Sequence, residues 1–128
     1  MQSDLQTTSV ADAMQERFGS DLRGMMFYTA TGSVEFHHVR DEIDRDLTDD
    51  VREDRIREFI MDSLSTDTQE RQFSLGSLDC TVRFFSESTV LNFTFDEEVG
   101  MVVGLSPERS AVDRELIDWC RSTLRTHR

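Results

Sequence analysis

DLRGMMFYTATGSVEFHHVR, Asp21 to Arg40, reads as two strands around a short glycine-containing turn. Aromatic and β-branched residues fill both runs, and Ala30-Thr31-Gly32-Ser33 supplies the link. In the first run Leu22, Met26 and Tyr28 fall on one face and Arg23, Met25 and Phe27 on the other. Both faces are partly apolar, which suits a strand in mid-sheet with helices on either side.

Working outward, Val10, Ala13, Met14 and Phe18 recur at helical spacing, with Thr7, Thr8 and Ser9 as N-cap candidates and Gly19 as a stop. Downstream, Thr48 can cap a helix whose first turn holds Asp49 and Asp50. Arg52, Arg55, Ile56, Phe59, Ile60 and Leu64 then trace a 3.6-residue stripe. The pair Glu53 and Arg57 stands at the favourable four-residue spacing on its outer face.

From Leu78 the pattern turns to β. Leu78, Cys80, Val82 and Phe84 alternate with Asp79, Thr81, Arg83 and Phe85. Leu91, Phe93 and Phe95 alternate with Val90, Asn92 and Thr94. VGMVVGLS, Val99 to Ser106, fits a buried strand, and Gln69–Leu75 is a possible short extra one. Ser106-Pro107 looks like the start of a last helix, with Val112, Leu116, Trp119, Cys120 and Thr123 lining its inner face.

The resulting order is helix, two strands, helix, three strands, helix. It predicts one α+β domain over residues 1–128, frayed at 1–8 and 125–128, with a mainly antiparallel sheet and helices on both faces. That order resembles the roadblock/LC7 family. FGSDLRGMMFYTATGSVEFHHVRDEI, GSLDCTVRFFSESTVLNFTF and VGMVVGLS also resemble a family of small acidic proteins of halophilic archaea with no established activity.

The chain of 128 residues has 26 acidic and 14 basic residues, a net charge of −12, and every basic residue is arginine. Such a domain repels itself in dilute buffer, where charges act over about 10 Å, and much less in molar salt, where that range falls to about 3 Å. Carboxylates hold water and cations, while arginine is weakly hydrated and pairs in a planar fork. The composition predicts a salt-filled cytoplasm. It also argues against nucleic acid, which needs a basic footprint. No apolar run approaches the roughly 20 residues of a membrane span, and the amino end lacks a signal-peptide pattern.

Candidate chemistry is sparse. His37 and His38 are adjacent on a strand and point to opposite faces, so they cannot chelate one ion; His38 should share a half-buried face with Val34 and Phe36. Cys80 and Cys120 read as small buried hydrophobes. Asp79 reads as solvated surface, and Asp96-Glu97-Glu98 as a turn lacking the ordered spacing of a calcium loop. The sequon Asn92-Phe93-Thr94 lies inside a strand. Gly100 and Gly104 suit close strand packing better than a phosphate cradle.

No catalytic residue, metal ligand or cofactor is assigned. The reading is a non-catalytic interaction module that pairs with itself or a protein partner. Resemblance to roadblock domains, which commonly dimerise through a helix and an edge strand, implies contact at Arg52, Arg55, Ile56, Phe59 and Ile60. The rival is a small-ligand or nucleotide-sensing domain, with a pocket where Arg23, His38 or Arg83 converge.

Overall fold

The computed structural model describes residues 5–94, 99–108 and 112–127. In chain order these form α1 (Thr7–Phe18) with a 3₁₀ turn (Gly19–Asp21), β1 (Leu22–Thr29), β2 (Val34–His37), α2 (Asp41–Asp46), α3 (Asp49–Leu64), α4 (Thr66–Phe73), β3 (Thr81–Phe84), β4 (Thr89–Thr94), β5 (Val99–Leu105) and α5 (Arg114–Thr126). The strands build one sheet in the order β2-β1-β5-β4-β3, antiparallel at every pairing.

Strand alternation divides the sheet between two apolar clusters. Met25, Phe27, Leu91, Phe93, Met101 and Val103 face α1 and α5, which bring Val10, Met14, Phe18, Leu116, Cys120 and Leu124. Met26, Tyr28 and Val102 face the other way, toward Ile56, Phe59 and Ile60 of α3. The fold is thus an α+β sandwich with its main core on one face and a thinner layer on the other.

Register departs from simple alternation at one point. Leu22 pairs with Leu105 and Gly24 with Gly104, so Arg23 is an extra residue on β1. This bulge returns Leu22 to the face of Met25 and Phe27, opposite to the face its spacing assigned.

Other expectations change as well. The middle helical region is three helices, and residues 71–75 complete α4 and its exit rather than form a strand. Ser74 there adopts a left-handed φ of 53°, ending the helix. α5 begins at Arg114 rather than at Pro107, because the Asp113 side chain accepts from Leu116 N at 3.0 Å and caps the helix there. Thr48 caps α3 as expected, accepting from Val51 N. Thr7, Thr8 and Ser9 cap nothing; the Thr7 hydroxyl instead donates to Glu35 on β2 at 2.8 Å.

Residues expected to fray at either end are tied together. Leu5 is buried, and Gln6 N donates to the His127 carbonyl at 2.8 Å. Residues 1–4 and 128 lie outside the described residues, as do Phe95 and the turn Asp96-Glu97-Glu98.

Candidate functional site

The sheet and α3 do not close on each other everywhere. Between them lies a cavity of about 440 Å³. Its floor is Gly24, Met26, Val102 and Gly104, the two glycines being cross-strand partners. Phe36 and Val39 wall it on the β2 side and Ser88 and Val90 on the β4 side. Ile56 and Phe59 roof it from α3, and Ile43 and Leu47 close the end near α2. A side chain at either floor glycine would occupy this space, so the pair gives the cavity its depth.

Three guanidinium groups reach the lining: Arg23 from the bulge, and Arg52 and Arg55 from successive turns of α3. Arg52 lies over the Phe36 ring at 5.3 Å. The Arg23 Nε is enclosed and has no hydrogen-bond partner in the structure.

Of the residues expected to form a pocket, only Arg23 lines this one. β2 stops at His37, and His38 takes a left-handed φ of 54° that turns it away from Val34 and Phe36. Its Nε2 meets Asp12 of α1 at 3.2 Å, on the opposite face of the sheet. His37 packs edge-on to Phe27 and contacts Glu35 at 3.1 Å. Arg83 pairs with Asp62 at 3.5 Å. It belongs to a polar cluster further along α3.

In that cluster the Tyr28 hydroxyl donates to Asn92 Oδ1 at 2.7 Å and shares a hydrogen bond with Ser63. Asn92 Nδ2 donates to Asp62 at 2.8 Å, and Ser63 bonds Thr94 at 2.9 Å. Burial raises the Tyr28 pKa above its ordinary value, so the phenol stays neutral and fixed. The hydrogen bonds of Tyr28, Asn92, Ser63 and Thr94 pin α3 to the sheet.

Of the residues assigned to an interface, all but the exposed Arg55 are half-buried. Ile56, Phe59 and Ile60 pack on Met26, Tyr28 and Val102, while Arg52 and Arg55 border the cavity. Leu64, assigned to the same inner stripe, is instead 65% exposed. Ser63 takes the inward place one residue earlier, because its hydroxyl completes the polar cluster. The spacing of Arg52, Arg55, Ile56 and Phe59 was the signal available for the cavity: a basic edge on an apolar stripe.

Among the described residues no group of three or more histidine, cysteine or carboxylate side chains is placed to hold a metal ion. Cys80 and Cys120 form no disulfide with each other, and burial pushes the Cys80 pKa up to about 12, away from nucleophile behaviour. Asp79 is structural: Arg114 donates to its carboxylate at 3.1 Å and Arg121 to its carbonyl at 3.0 Å. No described helix is long and apolar enough to cross a membrane.

Solved structures share this architecture. A roadblock/LC7 domain from Streptomyces avermitilis aligns with a TM-score of 0.63 at 15% identity, over 95% of this chain and 92% of that one. Myxococcus xanthus MglB aligns with a TM-score of 0.65 at 10% identity, over 94% and 89%. MglB in a tetrameric arrangement aligns with a TM-score of 0.64 at 9% identity, over 99% and 92%. At these identities the likeness establishes the fold: an antiparallel five-stranded sheet with helices, as in roadblock/LC7 domains. No curated protein matches the sequence. A family model described as "Domain of unknown function (DUF7522)" matches residues 8–125, and the chain belongs to that family.

Proposed function

We propose that the chain is a non-catalytic interaction module that pairs with a second copy of itself, in a salt-filled cytoplasm. The observation that carries this reading is the distribution of exposed apolar side chains. Among the described residues, six of the eight large exposed hydrophobics fall between Met61 and Phe85: Met61, Leu64, Phe73, Leu75, Phe84 and Phe85. They come from the end of α3, from α4 and its exit, and from the edge strand β3 with its following turn.

β3 pairs only with β4, so its outer row of amides and carbonyls is open. Such an edge is a template for another strand. A second β3 added there would continue the sheet through a twofold axis and cover the same patch on both copies. Charge supports the choice of surface. The neighbouring stretch Gln69–Leu78 holds one carboxylate, Glu70, and one arginine, Arg71, in a chain of net charge −12. Two copies can meet there without bringing their acids face to face.

The contact surface proposed is therefore the outer end of α3 with β3, rather than the Ile56-Phe59-Ile60 stripe. Likeness to MglB, which has been solved in a tetrameric arrangement, supports a self-associating fold. Nucleic acid is a poor partner for this charge.

Sedimentation in multimolar KCl tests the reading. The combined substitution Leu64→Asp and Phe84→Asp is expected to shift the mass from two chains to one while far-UV circular dichroism stays unchanged. Both side chains are well exposed, at 65% and 71%, so the monomer should tolerate the change. Equal masses for the parent and the double variant would refute the surface.

A further inference from the structure

The cavity between α3 and the sheet carries a charge that the rest of the chain does not. Among the described residues its lining includes Arg23, Arg52 and Arg55 and no carboxylate. In a chain with 26 acidic residues and 14 basic ones, the charged members of a lining drawn without preference would be mostly acidic. Like charges around one apolar space repel one another. An arrangement of this kind is favourable when an anion occupies the centre.

Arg23 makes the point most sharply. Its Nε is enclosed without a partner, and an enclosed guanidinium N–H with no acceptor is destabilising. The Arg23 charge is felt at Glu108, which is fully exposed. That carboxylate sits below its ordinary pKa chiefly because it accepts from the Ser106 hydroxyl, with the Arg23 charge a smaller contribution. Apart from Ser88 the remaining walls are apolar, among them Met26, Phe36, Val39, Phe59, Val90 and Val102.

We propose that this cavity is a binding site for a small amphipathic anion, with a carboxylate or phosphate head at Arg23, Arg52 and Arg55 and an apolar body over Gly24 and Gly104. The volume of about 440 Å³ falls within the roughly 300–1,000 Å³ of small-molecule sites. Arginine suits either head, since its planar fork meets two oxygens at once. The site lies apart from the Met61–Phe85 surface and stands whether or not the chain dimerises.

The test uses the full chain in concentrated KCl with the fluorescent anion 1-anilinonaphthalene-8-sulfonate as reporter. Decanoate and decyl phosphate should displace it at least about tenfold more effectively than decanol, because only they carry a charge-assisted hydrogen-bond acceptor. The stronger of the two acids identifies the head group. Arg23→Met should weaken both by about tenfold or more and leave decanol unchanged. Gly104→Val gives a second, independent reading. A Cβ at Gly104 would meet its nearest neighbour, the Gly24 carbonyl, at an ordinary 3.5 Å, so valine should fold and fill the floor.

Loss of reporter binding in Gly104→Val together with anion preference supports the site. Binding that ignores Gly104→Val places the reporter elsewhere, for instance on the exposed apolar edge, and overturns the proposal. So does displacement by decanol as effective as by the two acids. Reporter release on raising protein concentration, with no anion preference, would assign the cavity to a second copy of the chain and overturn it equally.

Discussion

Adding one methyl group at Gly100, as Gly100→Ala, is expected to destabilise the fold by about 2–4 kcal/mol. Gly100 lies directly across from Tyr28 on the neighbouring strand. The tyrosine ring lies over it: an added Cβ would sit 2.2 Å from Cζ and 2.4 Å from the hydroxyl oxygen. Nothing approaches a Cβ that closely, so the ring must move. It cannot move cheaply, because Tyr28 is 2% exposed and its hydroxyl is bonded to both Ser63 and Asn92. Overpacking alone costs about 1–3 kcal/mol, and each hydrogen bond lost adds about 1 kcal/mol.

A denaturant titration of Gly100→Ala reads the cost as a lower midpoint at unchanged slope. Tyr28→Ala makes the argument specific, since without the ring the added methyl has room. In that background Gly100→Ala should cost less than about 0.5 kcal/mol, a strong departure from additivity. A Gly100→Ala protein as stable as the parent would show that the ring is not held where the polar cluster places it.

The second large effect concerns solvent. Unfolding free energy should rise on the order of a few kcal/mol as KCl is raised from about 0.1 M to about 2 M. The folded chain concentrates a net charge of −12 on a small surface, and the unfolded chain spreads it out. Screening therefore favours the folded state. Debye screening is nearly complete by about 1 M, where its length is about 3 Å. A continued rise above that concentration would mark the hydration of the surface carboxylates themselves. Equal or greater stability in dilute buffer would contradict the assignment to a salt-filled cytoplasm.

The two-sided character of β1 was readable from Met25, Met26, Phe27 and Tyr28, and it correctly implied helices on both faces. β4 and β5 were readable for the same reason: Leu91 and Phe93 alternate with Val90 and Asn92, and the run from Val99 to Leu105 is buried except at Gly104. The Thr48 cap was visible because a hydroxyl stands directly before two aspartates and a periodic apolar stripe.

What stayed hidden has physical causes. One inserted residue at Arg23 reverses the parity of everything before it, and no local pattern announces such a bulge. A left-handed residue at His38 does the same to the end of β2. Phe73 and Leu75 suggested a strand because they are apolar and two apart, yet the Gln, Glu and Arg residues before them favour helix and the two side chains stay exposed. Ser106-Pro107 is a good helix start locally, but Asp113 provides the cap that is used. The cavity needed tertiary structure: Arg23 and Arg52 are far apart in sequence and line one space only because α3 lies across β1, β4 and β5.

Self-association through the apolar edge is the central claim, and amide hydrogen exchange at two protein concentrations in concentrated KCl tests it most directly. The account predicts slower exchange over Met61–Phe85 at the higher concentration, strongest at the open amides of β3, with α1 and α5 unchanged. Exchange over Met61–Phe85 that is independent of concentration, with the protein monomeric throughout, would contradict it.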